Sequence, residues 1–170
     1  VNIFVLDSDP RKSARMVCDK HVVKMPLETV QMLVSALIRN GVPPEDMPRT
    51  KAGTPYKETH KHHPCTRWAG DTSKNFVWLW THGLELCLEY SRRYDRVHRC
   101  YYALMELGDL LAQVPLHAMP YGPLTPHPQA MPDDCKRDDP VDAYRSYYNK
   151  DKSEIAEWSH SETPEWFCTK

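Results

Sequence analysis

The chain predicts an all-α fold, on three observations. Apolar residues recur at helical spacing through Phe76, Leu79, Trp80, Gly83, Leu86, Cys87 and Tyr90, which keeps one helix face apolar. No run alternates polar and apolar residues over the length of a strand. Fifteen prolines stand against six glycines, a composition of stiff connectors rather than flexible linkers. At 170 residues the chain suits one helical domain, 1–170, with a single core. The net charge of −1 confines any nucleic-acid surface to a local patch.

The elements follow in order. Asn2-Ile3-Phe4-Val5-Leu6 is a short apolar lead-in, expected to be extended and buried. Charges at Asp7, Asp9, Arg11 and Lys12 cut it too short for a secretory signal, and no stretch approaches a membrane span. The expected compartment is therefore the cytoplasm, with no membrane contact. Cysteines at 18, 65, 87, 100, 135 and 168 form no CxxC pair and are expected as free thiols.

Arg11 to about Asn40 reads as helical and ends at Gly41. Pro26 must either kink this helix or start a second one. Val22, Val23, Leu27, Val30, Leu33 and Leu37 are expected to form its buried face. Residues 42–64 form a long proline-rich loop, and a loop of this length in a small protein is usually functional or poorly ordered. Thr72 or Ser73 caps the strongest helix, which runs to about Arg96. Its basic end, from Arg92 to Arg99, suits a helix C-terminus. Tyr101 to Gln113 is a shorter helix, and the proline-rich residues 114–140 wrap the surface. Val141 to Trp158 is a last helix, followed by a tail whose Trp166 and Phe167 dock back.

One constellation stands out as chemistry. His21, Lys24, Glu28 and Gln31 fall within an arc of about 80° on one helix face, with Asp19 and Lys20 beside them. Cys18, Met25, Met32 and Ala36 flank this ladder, unlike the neighbours of a solvated face. The helix is therefore expected to be buried on most sides, its polar strip facing a cleft. His21 has the chemistry of a general acid or base. Lys24 would hold a phosphate or depress its neighbour's pKa, Glu28 would orient His21 or Lys24, and Gln31 would read a base edge. A second cluster, His60-Lys61-His62-His63-Pro64-Cys65, is expected to share the cleft. Its spacing matches no zinc motif, so neither metal nor cofactor is expected. Lys57, Lys61 and Arg67 flank these histidines, and Arg92, Arg93, Arg96 and Arg99 form another basic patch. Trp68, Trp78 and Tyr56 are candidates to stack on an unstacked base.

Val1-Asn2-Ile3-Phe4, Asp19-Lys20-His21, and His63-Pro64 followed by Arg67-Trp68 occur in an order that resembles the phage pyrimidine-dimer DNA glycosylases, also called endonuclease V, and their bacterial relatives. Tyr144-Arg145-Ser146-Tyr147-Tyr148 is similar to the aromatic cluster near the end of those enzymes. Small uncharacterised phage proteins share the lead-in and the DKHVVKM-type motif of residues 19–25. The resemblance covers about 90 residues and implies a compact helical fold. It also implies a nucleophile at the amine of the first residue, here Val1, a glutamate on the first long helix, and basic residues holding phosphates. The pattern places His21 at or next to the position of that glutamate, with Glu28 two turns further on. Through the resemblance, Asn2, Lys20, Gln31, Lys57, His60, Lys61, His63, Arg67, Trp68, Arg92 and Arg93 become the expected DNA contacts. Val1, His21, Lys24 and Glu28 become the catalytic set.

An α-amine titrates about two units below a lysine, which favours it as a Schiff-base nucleophile at neutral pH. The expected activity is thus a glycosylase/lyase acting on a flipped pyrimidine nucleotide of DNA, by a monomer. Two alternatives stay open: a transferase that modifies a hydroxymethylated pyrimidine in viral DNA, and a non-enzymatic binder of nucleic acid or a host protein.

Overall fold

Two long helices, packed against each other, carry the remaining elements. The computed structural model describes residues 1–113 and 119–168. Among them the α-helices are α1 Pro10–Met16, α2 Asp19–Arg39, α3 Pro64–Ala69, α4 Ser73–Tyr94, α5 Cys100–Gln113 and α6 Pro140–Asp151. Extended pairing among the described residues is limited to one isolated bridge between Arg49 and Pro55. The fold is all-α. Of the proline-rich segment expected at 114–140, residues 114–118 lie outside the described residues; the rest holds a 3-10 turn at Asp133–Cys135.

Local chemistry sets the helix ends. Asp9, Thr72 and Asp139 cap α1, α4 and α6 by accepting backbone N–H bonds in the first turn. The first predicted helix is in fact two. The break falls at Val17-Cys18, both extended and buried, and not at Pro26. Pro26 sits inside α2, where its missing N–H leaves the Val22 carbonyl without its helical donor. In the same turn, His98 Nε2 lies 3.0 Å from the Val23 oxygen.

The buried face of α2 also differs from the expected one. Val22, Val30, Leu33 and Leu37 are buried, whereas Val23 and Leu27 are exposed. The positions gained are Met25, Met32 and Ala36, beside the ladder. The last helix stops at Asp151, seven residues before the expected Trp158, and α3 had no expectation of its own. Gly83 marks the closest approach of α4 to α2: a Cβ there would sit 2.6 Å from Thr29 Cγ2.

Polar residues enter the core where the helices meet the breaks. Arg93, on α4, has a side chain only 1% exposed. It donates to Glu89 Oε1 at 2.8 Å, Asp19 Oδ1 at 3.1 Å, and the carbonyls of Val17 and Arg15. It thereby satisfies the carbonyls that the α1–α2 break leaves without helical partners.

The lead-in is extended and buried as its composition implies, with Ile3 through Leu6 in the core. It runs beneath α6, whose Tyr144 and Tyr148 are fully buried. Trp158, Trp166 and Phe167 pack against the core from the tail, and Trp158 Nε1 donates to the Met16 carbonyl. No described helix is long and apolar enough to cross a membrane.

Removing the buried guanidinium leaves Glu89 Oε1, Asp19 Oδ1 and two carbonyls without their donor. Arg93→Ala should lower the unfolding free energy by about 3 kcal/mol. The expected readout is a lower urea midpoint at unchanged slope.

Candidate active site

The site is built where the lead-in crosses α2. Backbone and side chain of Asn2 fix the crossing. Its N–H donates to Glu28 Oε2 at 3.0 Å and its Nδ2 to the Ala130 carbonyl at 2.8 Å. Its Oδ1 accepts from the Ile3 N–H and from the Tyr144 hydroxyl, each at 2.8 Å. Asn2 was expected to contact DNA; with these bonds it instead anchors the start of the chain. Residue 1 is thereby held against the ladder.

Val1, Asn2, Phe4, Lys20, His21, Lys24, Glu28, Tyr147, Lys152 and Ile155 line one cleft of about 400 Å³. Within it, Lys24 Nζ lies 3.0 Å from Glu28 Oε1, so the carboxylate is gripped at one oxygen by the lysine and at the other by the Asn2 N–H. Lys20 and Lys24 are exposed, Glu28 is half-buried, and Gln31 is half-buried one turn on. Lys152, the residue that ends α6, lies with Nζ 4.7 Å from the Tyr147 ring centroid. The cleft therefore pairs one carboxylate with several cations, a field that draws in an anionic backbone.

His21 is placed differently from its neighbours on the ladder. It is buried, stacked on Phe4 at 4.2 Å between centroids, and Nδ1 shares a hydrogen bond with the Tyr148 hydroxyl. Burial, reinforced by Lys152, Lys24 and Lys20, pushes its pKa down to about 3. A neutral imidazole at working pH hydrogen-bonds but takes up a proton only weakly. Phe4 holds a positive φ of 56°, a strained conformation for an aromatic residue. Its packing against His21, Tyr144, Tyr147 and Tyr148 keeps it there.

The second cluster was expected to share this cleft; none of its residues is among those that line it, and it sits instead at the start of α3. His63 is the N-cap of α3, its Nδ1 accepting from the Cys65 N–H at 3.2 Å. The Cys65 thiol is buried and meets the backbone of Ile3 and the Tyr144 hydroxyl. Burial lowers the His63 pKa, followed by the charge of the Val1 amine and of His60, while Glu28 opposes them. His63 thus lies within the field of Val1 and Glu28. Lys57, His60, Lys61 and Arg67 are exposed around it, and Lys61 pairs loosely with Glu58. Among the described residues, no group of three or more His, Cys, Asp or Glu is arranged to hold a metal ion.

Other expected contacts are not part of this surface. Trp68 is 4% exposed and donates Nε1 to the Thr125 carbonyl, so it is core and not a stacking platform. Trp78 is likewise buried, donating to the Ser8 carbonyl. Arg93 is enclosed as described, and the exposed Arg92 is paired with Glu89 at 2.7 Å. A larger cleft, about 600 Å³, lies elsewhere between Arg15, Arg145 and the tail at Trp166 and contains none of the ladder. Tyr147 was noted only as part of an aromatic cluster, and Lys152 and Ile155, just past α6, went unread in the sequence, because nothing local relates that region to residue 1.

A model of the family described as pyrimidine dimer DNA glycosylase matches residues 1–102. No curated protein and no solved structure matches the chain.

The buried histidines give stability a defined pH response. His21 and His82 are lowered to about 3 and His127 to about 4, in each case chiefly by burial. An unfolded histidine protonates near 6.5. Below about that pH the unfolded chain binds more protons than the folded one, so stability falls as pH drops toward these values. Urea midpoints should be level above pH 7 and decline steadily from pH 6 to pH 4. His82 has both ring nitrogens unpartnered, and His82→Phe should make the decline shallower.

Proposed function

The chain belongs to the pyrimidine dimer DNA glycosylase family, and from that premise we propose that it excises a pyrimidine base from DNA through the Val1 amine. The observation that carries this reading is Glu28. It accepts the N–H of Asn2, the residue next to Val1, and lines the same cleft as Val1. The sequence pattern had pointed to His21 for the carboxylate's place. The bond from the neighbouring Asn2 N–H favours Glu28, and the burial of His21 against Phe4 and Tyr148 suits that ring to the wall of the site.

The chemistry runs on these groups. The amine nitrogen attacks C1′ of the target sugar, the C1′–N1 bond breaks, and its electron pair leaves with the pyrimidine. Glu28 takes the proton released by the attacking nitrogen and passes it toward the leaving base. The sugar opens to an imine with Val1. Loss of a C2′ proton from that imine then expels the 3′ phosphate, which is the lyase step. Lys20, Lys24 and Lys152 hold flanking phosphates at the cleft mouth. Lys57, His60, Lys61 and Arg67 extend the contact along the strand. A target nucleotide must leave the duplex to reach a cleft of this depth.

Borohydride should trap a covalent adduct between the protein and DNA carrying a thymine dimer or an abasic site. Glu28→Gln should slow base release by about a hundredfold or more with smaller change in DNA affinity. One residue added before Val1, or acetylation of Val1, should abolish trapping. Trapping that survives either block would remove the amine from the mechanism. Mass gained by DNA carrying hydroxymethylpyrimidines, with no trapping, would favour a base-modifying transferase.

A further inference from the structure

We propose that Tyr144 is a positioning residue for the Val1 amine, acting through Asn2 and a proline-stiffened strap at residues 125–130. The proposal rests on the glycosylase reading above, in which that amine is the nucleophile, and adds what sets its place.

Tyr144 lies on α6 and is fully buried. A buried hydroxyl costs free energy unless it is bonded, and a phenylalanine would fill the same space without one. Besides meeting the Cys65 thiol, this hydroxyl serves two places. It lies 2.8 Å from Asn2 Oδ1 and 2.8 Å from the Pro128 carbonyl, sharing its proton between them, and it accepts the Ala130 N–H at 3.4 Å. Asn2 Nδ2 closes the circuit by donating to the Ala130 carbonyl at 2.8 Å. The hydroxyl thus ties residue 2 to the strap.

The strap is itself held at its far end. Thr125 donates its N–H to Asn75 Oδ1 at 2.9 Å, and its Oγ1 accepts from Asn75 Nδ2 at 2.8 Å. Asn75 is fully buried on α4, and Trp68 Nε1 donates to the Thr125 carbonyl. Between the two ends, the His127 ring packs on Trp68 and Trp78, at 4.5 and 4.2 Å between centroids. Residues 120–130 hold neither helix nor strand. Pro126 and Pro128 fix φ there, so the strap is stiff without a hydrogen-bond ladder of its own. A position set at α4 is therefore carried to Asn2, one peptide bond from Val1. A reacting nitrogen needs such a frame, since a misplacement of about 1 Å can cost about a hundredfold in rate. Tyr144 and the strap both lie beyond residues 1–102, the part matched to the family.

The test reads position apart from fold. Tyr144→Phe keeps the ring and removes the hydroxyl. With abasic DNA and borohydride, its maximal trapping rate should fall about tenfold, with half-saturating DNA within about twofold of wild type. Asn2→Ala should lose a similar factor. Because both act through one tie, the double variant should stay near about tenfold, short of the roughly hundredfold product of independent effects. In amide hydrogen exchange without DNA, the Asn2 and Ile3 N–H groups should exchange about tenfold faster in Tyr144→Phe, while α4 amides keep their protection. An unchanged trapping rate in Tyr144→Phe would overturn the proposal. So would a loss confined to half-saturation, losses that multiply in the double variant, or exchange that quickens throughout α4. Should Tyr144→Phe not fold, Asn2→Ala decides alone, and a wild-type trapping rate there would overturn the proposal. Failure of the wild-type protein to trap abasic DNA would instead defeat the glycosylase reading, and the exchange measurement would still decide whether Tyr144 holds residue 2.

Discussion

The tie between Asn2 and its surroundings is the constraint on which the site depends. Here the backbone and side chain of Asn2 bond to Glu28, Ala130, Ile3 and Tyr144 at 2.8–3.0 Å. Fixing each backbone residue costs about 1–2 kcal/mol. Burial of Ile3, Phe4, Val5 and Leu6 offsets it, at about 1.5–3 kcal/mol for each large side chain. The strained φ of Phe4 belongs to the same arrangement, because the turn it makes puts its ring on His21.

Charge is divided between two uses that adjoin in the sequence. Asp19 turns inward to the Arg93 guanidinium and accepts the Ser159 N–H from the tail, whereas Lys20 lies exposed at the cleft. The inward network holds the α1–α2 break and the tail together. The outward cations, Lys20, Lys24 and Lys152, give the cleft its field. A near-neutral chain can therefore present a positive site, since several of its acids are spent inside or at the rim.

The cleft is also composite along the chain. Val1, Lys24 and Glu28 fall within the residues matched to the glycosylase family. Tyr147, Lys152 and Ile155, which also line the cleft, come from the remainder. The proposed chemistry thus resides in the first part, and the wall that shapes access to it in the second. The fully buried Tyr144 and Tyr148 join the two, one bonding to Asn2 and the other to His21.

The sequence by itself determined the helical class, the capped start of α4 at Thr72 or Ser73, the buried lead-in and the polar face of α2. Each is a local matter: side-chain period, a capping hydroxyl, or an apolar run. It also carried the family pattern, although that pattern pointed to His21, whereas it is Glu28 that accepts the Asn2 N–H. Only tertiary structure decided which polar residues face inward. Arg93 and Trp68 look like DNA contacts in a row of basic and aromatic residues, and become core because α1, α2 and the 125 region close over them. His21 and Lys24 share one helix face, yet α6 buries the first and leaves the second exposed. Burial depends on what packs from elsewhere in the chain. Helical period fixes only the direction in which a side chain leaves its helix.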